Sequence, residues 1–244
     1  MKITKRVVFT QGGKGGVGKT TFANDLADWY RTNGVKVKLF DFDSENEAAS
    51  GFQHFNPEAE KFNINEEGSL DAILSILDSD DCHVLLIDQA AASGEATFDW
   101  FEEVGETARE MGVGFTAVGM VTGDPGSVES VLKWIGRLGG NAEYLIVKNK
   151  MSNKREDFSA WTSNKLVDKF RKAYSLTEVE MDMRLPEFEE KIREAGATLA
   201  SVSEIKSGPL SETRWRVRAQ GYLKKSHALL DSVSELLTVD GAGK

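Results

Sequence analysis

A chain of 244 residues, 40% hydrophobic, with 4 prolines and no low-complexity run or internal repeat, predicts a single compact α/β domain over residues 1–244 without a long linker. Its one cysteine, Cys82, excludes an intrachain disulfide and a cysteine-based metal pair within a subunit. The net charge of −9 divides unevenly, with 8 basic and 2 acidic residues in 1–40, 2 and 19 in 41–110, and 20 and 18 beyond. No apolar run approaches the roughly 18 residues that a membrane span needs, so no secretory leader, spanning helix or membrane partner is expected and the chain reads as cytoplasmic.

In chain order, the first element is a short buried strand near 5–10, KRVVFT. It runs into GGKGGVGKTT, residues 12–21, where Gly13, Gly18, Lys19 and Thr20 meet the phosphate-loop pattern GxxxxGK followed by Ser or Thr. The chemistry explains the spacing. Glycines let successive backbone N–H groups converge on an anionic phosphate, the lysine reaches the β and γ phosphates, and the hydroxyl ligates Mg²⁺. The candidate nucleotide-binding set is therefore Gly13, Lys14, Gly15, Gly16, Val17, Gly18, Lys19, Thr20 and Thr21, with ATP and Mg²⁺ as the expected ligands. Phe22, Leu26 and Trp29, with Ala23, Ala27 and Tyr30, form a helical stripe ending at Gly34, so the loop sits between a strand and a helix. A chain with 23 glycines has stray glycine turns, and a turn that binds nothing is the competing reading. Lys14 exceeds the pattern, and by itself it is a solvated loop charge.

A second strand near 35–41 runs into Asp41-Phe42-Asp43, and a third near 83–88 runs through Val84-Leu85-Leu86-Ile87 into Asp88. A carboxylate at the end of a buried apolar run is costly unless something at the strand tip uses it, and Mg²⁺ with an attacking water would. Thr20 and the strand-end aspartates Asp41, Asp43 and Asp88 are thus the candidates to serve the metal and the water, and a helix cap or turn is the plainer role for any one aspartate. Ser69 precedes a helical stripe of Leu70, Ile73, Leu74 and Leu77. Further strands fall near 113–121, 142–147 and 177–183, with Asp124 and Pro125 as cap and first-turn residues of a helix between the first two. Trp215, Tyr222, Leu229, Leu230, Val233 and Leu237 predict a long C-terminal helix at about 211–237. This βα alternation predicts a doubly wound, mostly parallel sheet with helices on both faces and ligands beyond the carboxyl ends of the strands.

The string KGGVGKT with its lysine at 14, the acidic strand end at 41–43 and the run into Asp88 resemble the deviant Walker A ATPases of the ParA/MinD superfamily, over residues 5 to about 195. The resemblance implies a phosphate-loop ATPase of the short ParA type. In it Lys14 reaches across an ATP-dependent homodimer to the partner's nucleotide, Lys19 holds the β and γ phosphates, Asp43 orients or activates water, and Asp88 supports Mg²⁺. Lys14, Lys19 and Asp43 are then the catalytic candidates. Hydrolysis would time a switch in plasmid or other DNA partition or cargo positioning, with a small DNA-binding or cargo-adaptor partner. Asn149, at the end of the strand Tyr144 to Val147, resembles the family's strand-end asparagine that hydrogen-bonds adenine; as a plain turn residue it would have no such role. Leu185-Pro186-Glu187 resembles the proline loop beside the base. Two stretches depart from the family pattern: Ser44-Glu45-Asn46 stands where Pro-Gln is common, and Gln89-Ala90-Ala91-Ala92-Ser93-Gly94 replaces a proline-containing loop. The runs FDFDSENEAASGF and LLIDQAAASG resemble TraL-like and StbB-like ATPases of conjugative plasmids, which implies an accessory ATPase of conjugation as the alternative.

Other branches lack their residues here. Iron–sulfur relatives need cysteines, and membrane attachment of the MinD kind needs a basic amphipathic tail, whereas 226–244 holds three acids and Lys244 as its base. An N-terminal helix-turn-helix is not expected ahead of a strand at residue 5. A small-molecule ligase of the dethiobiotin synthetase type stays open. Two stretches are locally basic, with 8 Lys/Arg against 3 acids in 148–172 and 6 against 1 in 206–225. They are either solvated helix faces or, for Arg214, Arg216, Arg218, Lys224 and Lys225, a salt-sensitive footprint for non-specific DNA that would make the protein nucleoid-associated.

Overall fold

Apolar runs such as residues 7–9, 84–87 and 117–121 fill the central strands, as expected where both faces of a parallel sheet are covered. The computed structural model describes residues 2–42, 51–63, 68–78, 81–89, 94–151 and 156–240. In chain order the elements are β1 Lys5–Gln11, α1 Lys19–Thr32, β2 Val37–Asp41, α2 Phe52–Phe55, β3 Glu60–Lys61, α3 Ser69–Leu77, β4 Val84–Asp88 and α4 Gly94–Glu110. They continue as β5 Val113–Val121, α5 Pro125–Leu138, β6 Glu143–Asn149, α6 Ser159–Thr162, α7 Lys165–Ala173, β7 Leu176–Met181, α8 Pro186–Ala195 and α9 Thr213–Asp231.

The seven described strands form one sheet in the order β3-β2-β4-β1-β5-β6-β7, and every described pair is parallel. β1 is central, between β4 and β5, and the chain's progression across the sheet reverses there. The loop after β1 therefore leaves the carboxyl edge at the place where doubly wound sheets bind ligands. Strand alternation divides the core in two. Val7, Phe9, Leu85 and Ile87 pack toward α3, α4 and α5, while Val8, Val84 and Leu86 pack toward α1 and the segment Leu230 to Leu237. A third cluster joins Phe188 and Ile192 of α8 to Trp215 and Ala219 of α9, with Phe188 and Trp215 stacked at 5.7 Å.

The sequence predicts six strands, and the additional one is β3, a two-residue edge pairing of Glu60 and Lys61, both exposed. Two polar residues at a sheet edge carry no alternation that could be read. β2 begins at Val37 rather than 35, β6 extends to Asn149, and β7 spans 176–181 rather than 177–183. The C-terminal helix α9 ends at Asp231, short of the expected 237. A 3₁₀ turn at Ser234–Leu236 then tucks Val233, Leu236 and Leu237 under α1, so the apolar stripe continues into the core without continuing the helix. Asp124 caps α5 as expected, accepting from the Gly126 N–H at 2.8 Å with Pro125 in the first turn. α3, by contrast, begins at Ser69, with Gly68 as its N-cap in the left-handed region.

Candidate nucleotide site at the carboxyl edge of the sheet

Residues 12–18 turn tightly from β1 into α1, and three glycines make the turn: Gly12, Gly16 and Gly18 have φ of 125°, 72° and 97°. These angles lie in the left-handed region that other residues reach only with strain. Gly18 is constrained further, because a Cβ there would meet the Asn149 amide nitrogen at 2.4 Å. At Gly15 and Gly16 an added Cβ would meet nothing within 4 Å, so the loop's middle faces open space. The first loop amide, Gly13 N–H, donates to the Ser130 hydroxyl on α5. Lys19, the first residue of α1, is buried and its ammonium donates to the Lys14 carbonyl at 3.1 Å, spanning the loop it would close around a phosphate.

At the start of α1 the Thr20 hydroxyl donates to Asp88 Oδ2 at 2.6 Å, and Thr10 from the end of β1 donates to Oδ1 at 2.7 Å. Asp88 is 3% exposed. Burial pushes its carboxyl up to about 6; the hydroxyls of Thr20 and Thr10 pull it back, neighbouring Asp41 adds to the rise, and Lys19 opposes it. Asp41 lies opposite Asp88 in the β2–β4 register and accepts from the Gln53 N–H at 2.9 Å. A hydroxyl and a buried carboxylate side by side at the mouth of a glycine loop are an oxygen donor set that fits a hard cation such as Mg²⁺. Asp43, the expected water-activating residue, falls outside the described residues.

A cleft of about 790 Å³ opens over the loop and runs between α1, the ends of β6 and β7, and α8. Gly15, Gly16, Gly18, Lys19, Thr20 and Thr21 line its loop end, and Asn149, Met151, Met181, Pro186 and Leu199 line the other. Asn149 has a structural duty there: its amide nitrogen donates to the Val17 carbonyl at 2.9 Å and lies 3.0 Å from the Met151 sulfur, tying β6 to the loop. With those donors engaged, its Oδ1 is the atom left for a base. Pro186 opens α8 at the rim.

Lys14 does not line this cleft. It opens instead into a neighbouring cavity of about 540 Å³, with Val17, Thr122, Asp124 and Glu156 among its walls. Its ammonium pairs with Asp124 at 3.0 Å, both side chains about half exposed. The Gly126 N–H, with Lys14, holds the Asp124 carboxyl below the usual carboxylate range.

Several residues at the site went unread in the sequence. Thr10 could have been found as a hydroxyl closing an apolar strand next to the loop. Asp25 and Asp28, set within the apolar stripe of α1, are 2% exposed each and signal a buried partner. Asp25 pairs with Arg184 and accepts from Ser226 at 2.8 Å, while Asp28 accepts from Thr198 at 2.8 Å and the Ala200 N–H at 3.0 Å. These contacts fasten the far side of the cleft to the helix that begins at Lys19, and no local pattern announces partners so distant in sequence.

Of the five basic residues of α9, four are exposed on one side of the helix: Arg214, Arg218, Lys224 and Lys225. Arg214 stacks on Trp215 at 4.5 Å and pairs with Glu212 at 2.7 Å, and Lys225 pairs with Asp182 at 3.0 Å. Arg216 turns inward and donates to the Ile205 carbonyl at 2.6 Å.

Among known proteins, the family model of the CobQ/CobB/MinD/ParA nucleotide binding domain matches residues 8–205. Protein MobD of Acidithiobacillus ferrooxidans is 22% identical over 225 residues, covering 91% of this chain and 98% of MobD. The MinD cell division protein of Aquifex aeolicus superposes with a TM-score of 0.51 at 15% identity, over 93% of this chain and 97% of that one. In the MinC:MinD cell division protein complex of the same organism the match has a TM-score of 0.50 at 14% identity, over 93% and 96% of the two chains. At these identities the two structures establish a common fold. Among the described residues no helix is long and apolar enough to cross a membrane.

Proposed function

We propose that this chain, which belongs to the CobQ/CobB/MinD/ParA nucleotide binding domain family, is an ATPase that dimerises on ATP and uses hydrolysis to time the release of a partner. The reading is carried by one arrangement: the Thr20 hydroxyl 2.6 Å from buried Asp88, at the helix end of a loop whose glycines demand positive φ. Lys19 would hold the β and γ phosphates, the loop amides from Gly13 to Thr21 would surround them, and Asn149 and Pro186 would flank the base. Mg²⁺, held by Thr20 with Asp88 and Asp43 beside it, would neutralise phosphate charge when bound. Asp43 would orient the attacking water. Positioning and charge neutralisation supply most of the catalysis of phosphoryl transfer, and these are the roles this residue set would fill.

The proposed dimer rests on Lys14, which lines the neighbouring cavity and not its own nucleotide cleft. Its pair with Asp124 is half exposed and worth little in water, so an anion brought by a second copy can displace it. Plasmid or other DNA partition and cargo positioning are the settings proposed. The exposed stripe of Arg214, Arg218, Lys224 and Lys225 would contact non-specific DNA, and a small adaptor protein would complete the switch, as MinC accompanies MinD in a structural relative.

Sedimentation of the wild type and Lys14→Ala with ATP or ADP tests this reading. ATP should double the sedimenting mass of the wild type and ADP should not, while Lys14→Ala should bind ATP and stay monomeric. An unchanged mass with ATP, or a Lys14→Ala protein that dimerises like the wild type, contradicts it. Monomeric turnover stimulated by a small metabolite would favour a ligase.

A further inference from the structure

We infer that Gln89 helps to position the attacking water, an inference that rests on the ATPase reading above. Gln89 follows Asp88 directly and is 4% exposed, yet it lines the same cleft as Gly15, Gly16, Lys19 and Thr20. Its backbone N–H donates to Thr10 Oγ1 at 3.1 Å, the same hydroxyl that holds Asp88, so the residue is fixed to the metal end of the site. Its side chain is poorly served. Nε2 reaches the Thr97 hydroxyl only at 3.5 Å, and Oε1 has no partner among the described residues. A buried amide oxygen without a donor is destabilising, so it is expected where a ligand supplies the missing hydrogen.

A second glutamine shares the defect. Gln11, fully buried at the end of β1, has no partner for either amide atom among the described residues. The β1–β4 register pairs Phe9 with Ile87, and continued by two residues it sets Gln11 beside Gln89. On the other side Gln11 faces Gly119 of β5, where a Cβ would come within 3.1 Å of its Nε2. The carboxyl ends of β1 and β4 thus carry three amide atoms that the described residues leave unsatisfied, next to the phosphate loop. Water both donates and accepts, and is small enough for such a place.

The chemistry suits an amide. Gln89 Oε1 can accept a hydrogen from water and Nε2 can donate to a phosphoryl oxygen, and neither adds charge beside a polyanion. In the step itself the water oxygen bonds to the γ phosphorus and the bond from that phosphorus to the bridging oxygen breaks. The electron pair leaves with ADP, and the water proton passes to a phosphoryl oxygen. The amide neither gains nor loses a proton and acts by orientation.

Steady-state hydrolysis and titration with a non-hydrolysable ATP analogue, on the full chain and Gln89→Ala, test the inference. Gln89→Ala should lower kcat by about 10²-fold, keep analogue affinity within about twofold, and leave the ATP-linked dimer longer-lived. If Gln89→Ala does not fold, Gln89→Asn, which keeps the amide but withdraws it by one methylene, carries the same test. A kcat near that of the wild type, or a parallel loss of kcat and affinity, overturns the inference and makes Gln89 a packing residue. A wild type that hydrolyses no ATP overturns the ATPase reading and this inference with it, whereas an active wild type matched by an active variant overturns this inference alone.

Discussion

Asp88 concentrates the energetics of the site. Its carboxylate has two hydroxyl donors and a nearby lysine, yet burial outweighs them and raises its pKa from 3.8 to about 6. The consequence for stability has a definite sign. The folded protein holds this proton more tightly than the unfolded chain, so the contribution is fully present below about 3.8, is lost as pH rises toward about 6, and is a constant deficit above that. A rise of this size corresponds to roughly 3 kcal/mol at most. In metal-free, nucleotide-free protein, Asp88→Asn removes the charge and should stabilise the fold by about 1–3 kcal/mol at pH 8, with a gain that shrinks as pH falls toward 4. Urea midpoints at pH 5 and pH 8 check this, and equal effects at both would show that Asp88 is not held against its ionisation. The turn from β1 into α1 was legible because its closely spaced glycines suit a tight strand-to-helix turn, and Gly12, Gly16 and Gly18 adopt the positive φ that it needs. The partners that fix Asp88 were half legible: Thr20 belongs to the pattern, while Thr10 emerged only when β1 was seen beside β4. The same limit hid the inward turn of Arg216, since a helical residue's face is settled by what the helix packs against.

At the scale of elements, α9 lies between α8 and α1 on its inner side and an exposed row of basic residues on its outer side. Its inner side meets α8 through Trp215 and Tyr222, whose hydroxyl accepts from the Leu185 N–H at 3.0 Å, and its Ser226 donates to Asp25 on α1. Its outer side carries Arg214, Arg218, Lys224 and Lys225. With ATP present, DNA binding should be independent of sequence and should weaken steeply with salt. Replacing Arg214, Arg218, Lys224 and Lys225 together by alanine should flatten the slope of log K against log salt, by about 0.9 for each phosphate that is no longer neutralised. Arg216→Ala should leave that slope unchanged and lower thermal stability instead, because its guanidinium serves the Ile205 carbonyl. Salt titrations by fluorescence anisotropy separate the two, and a slope insensitive to the four outer changes would place any DNA surface elsewhere. The long elements were legible from periodicity, as with the stripe of α1 and the apolar runs of β4 and β5. β3 was not, because two exposed residues have no pattern. The end of α9 was misplaced because Val233 and Leu237 keep the apolar content while the backbone has already left the helix.

At the scale of the molecule, the doubly wound sheet brings everything acidic, hydroxylic and glycine-rich in the site to one edge. Thr10, Asp41, Asp88 and Asn149 all stand at carboxyl ends of strands, and the loop leaves β1 where the chain's progression reverses. That convergence was foreseeable from βα alternation. The long-range salt bridge of Asp25 with Arg184 was not, since 159 residues separate the partners. The central claim is that residues 12–21 hold the phosphates of ATP, and calorimetric titration of ATP with Mg²⁺ into the wild type and Lys19→Ala tests it most directly. The wild type should bind one ATP per subunit. Lys19→Ala should bind about 10- to 150-fold more weakly, the factor that corresponds to a charge-assisted hydrogen bond of roughly 1.5–3 kcal/mol. A folded Lys19→Ala protein that binds ATP as tightly as the wild type, or a wild type that binds none, would contradict the account.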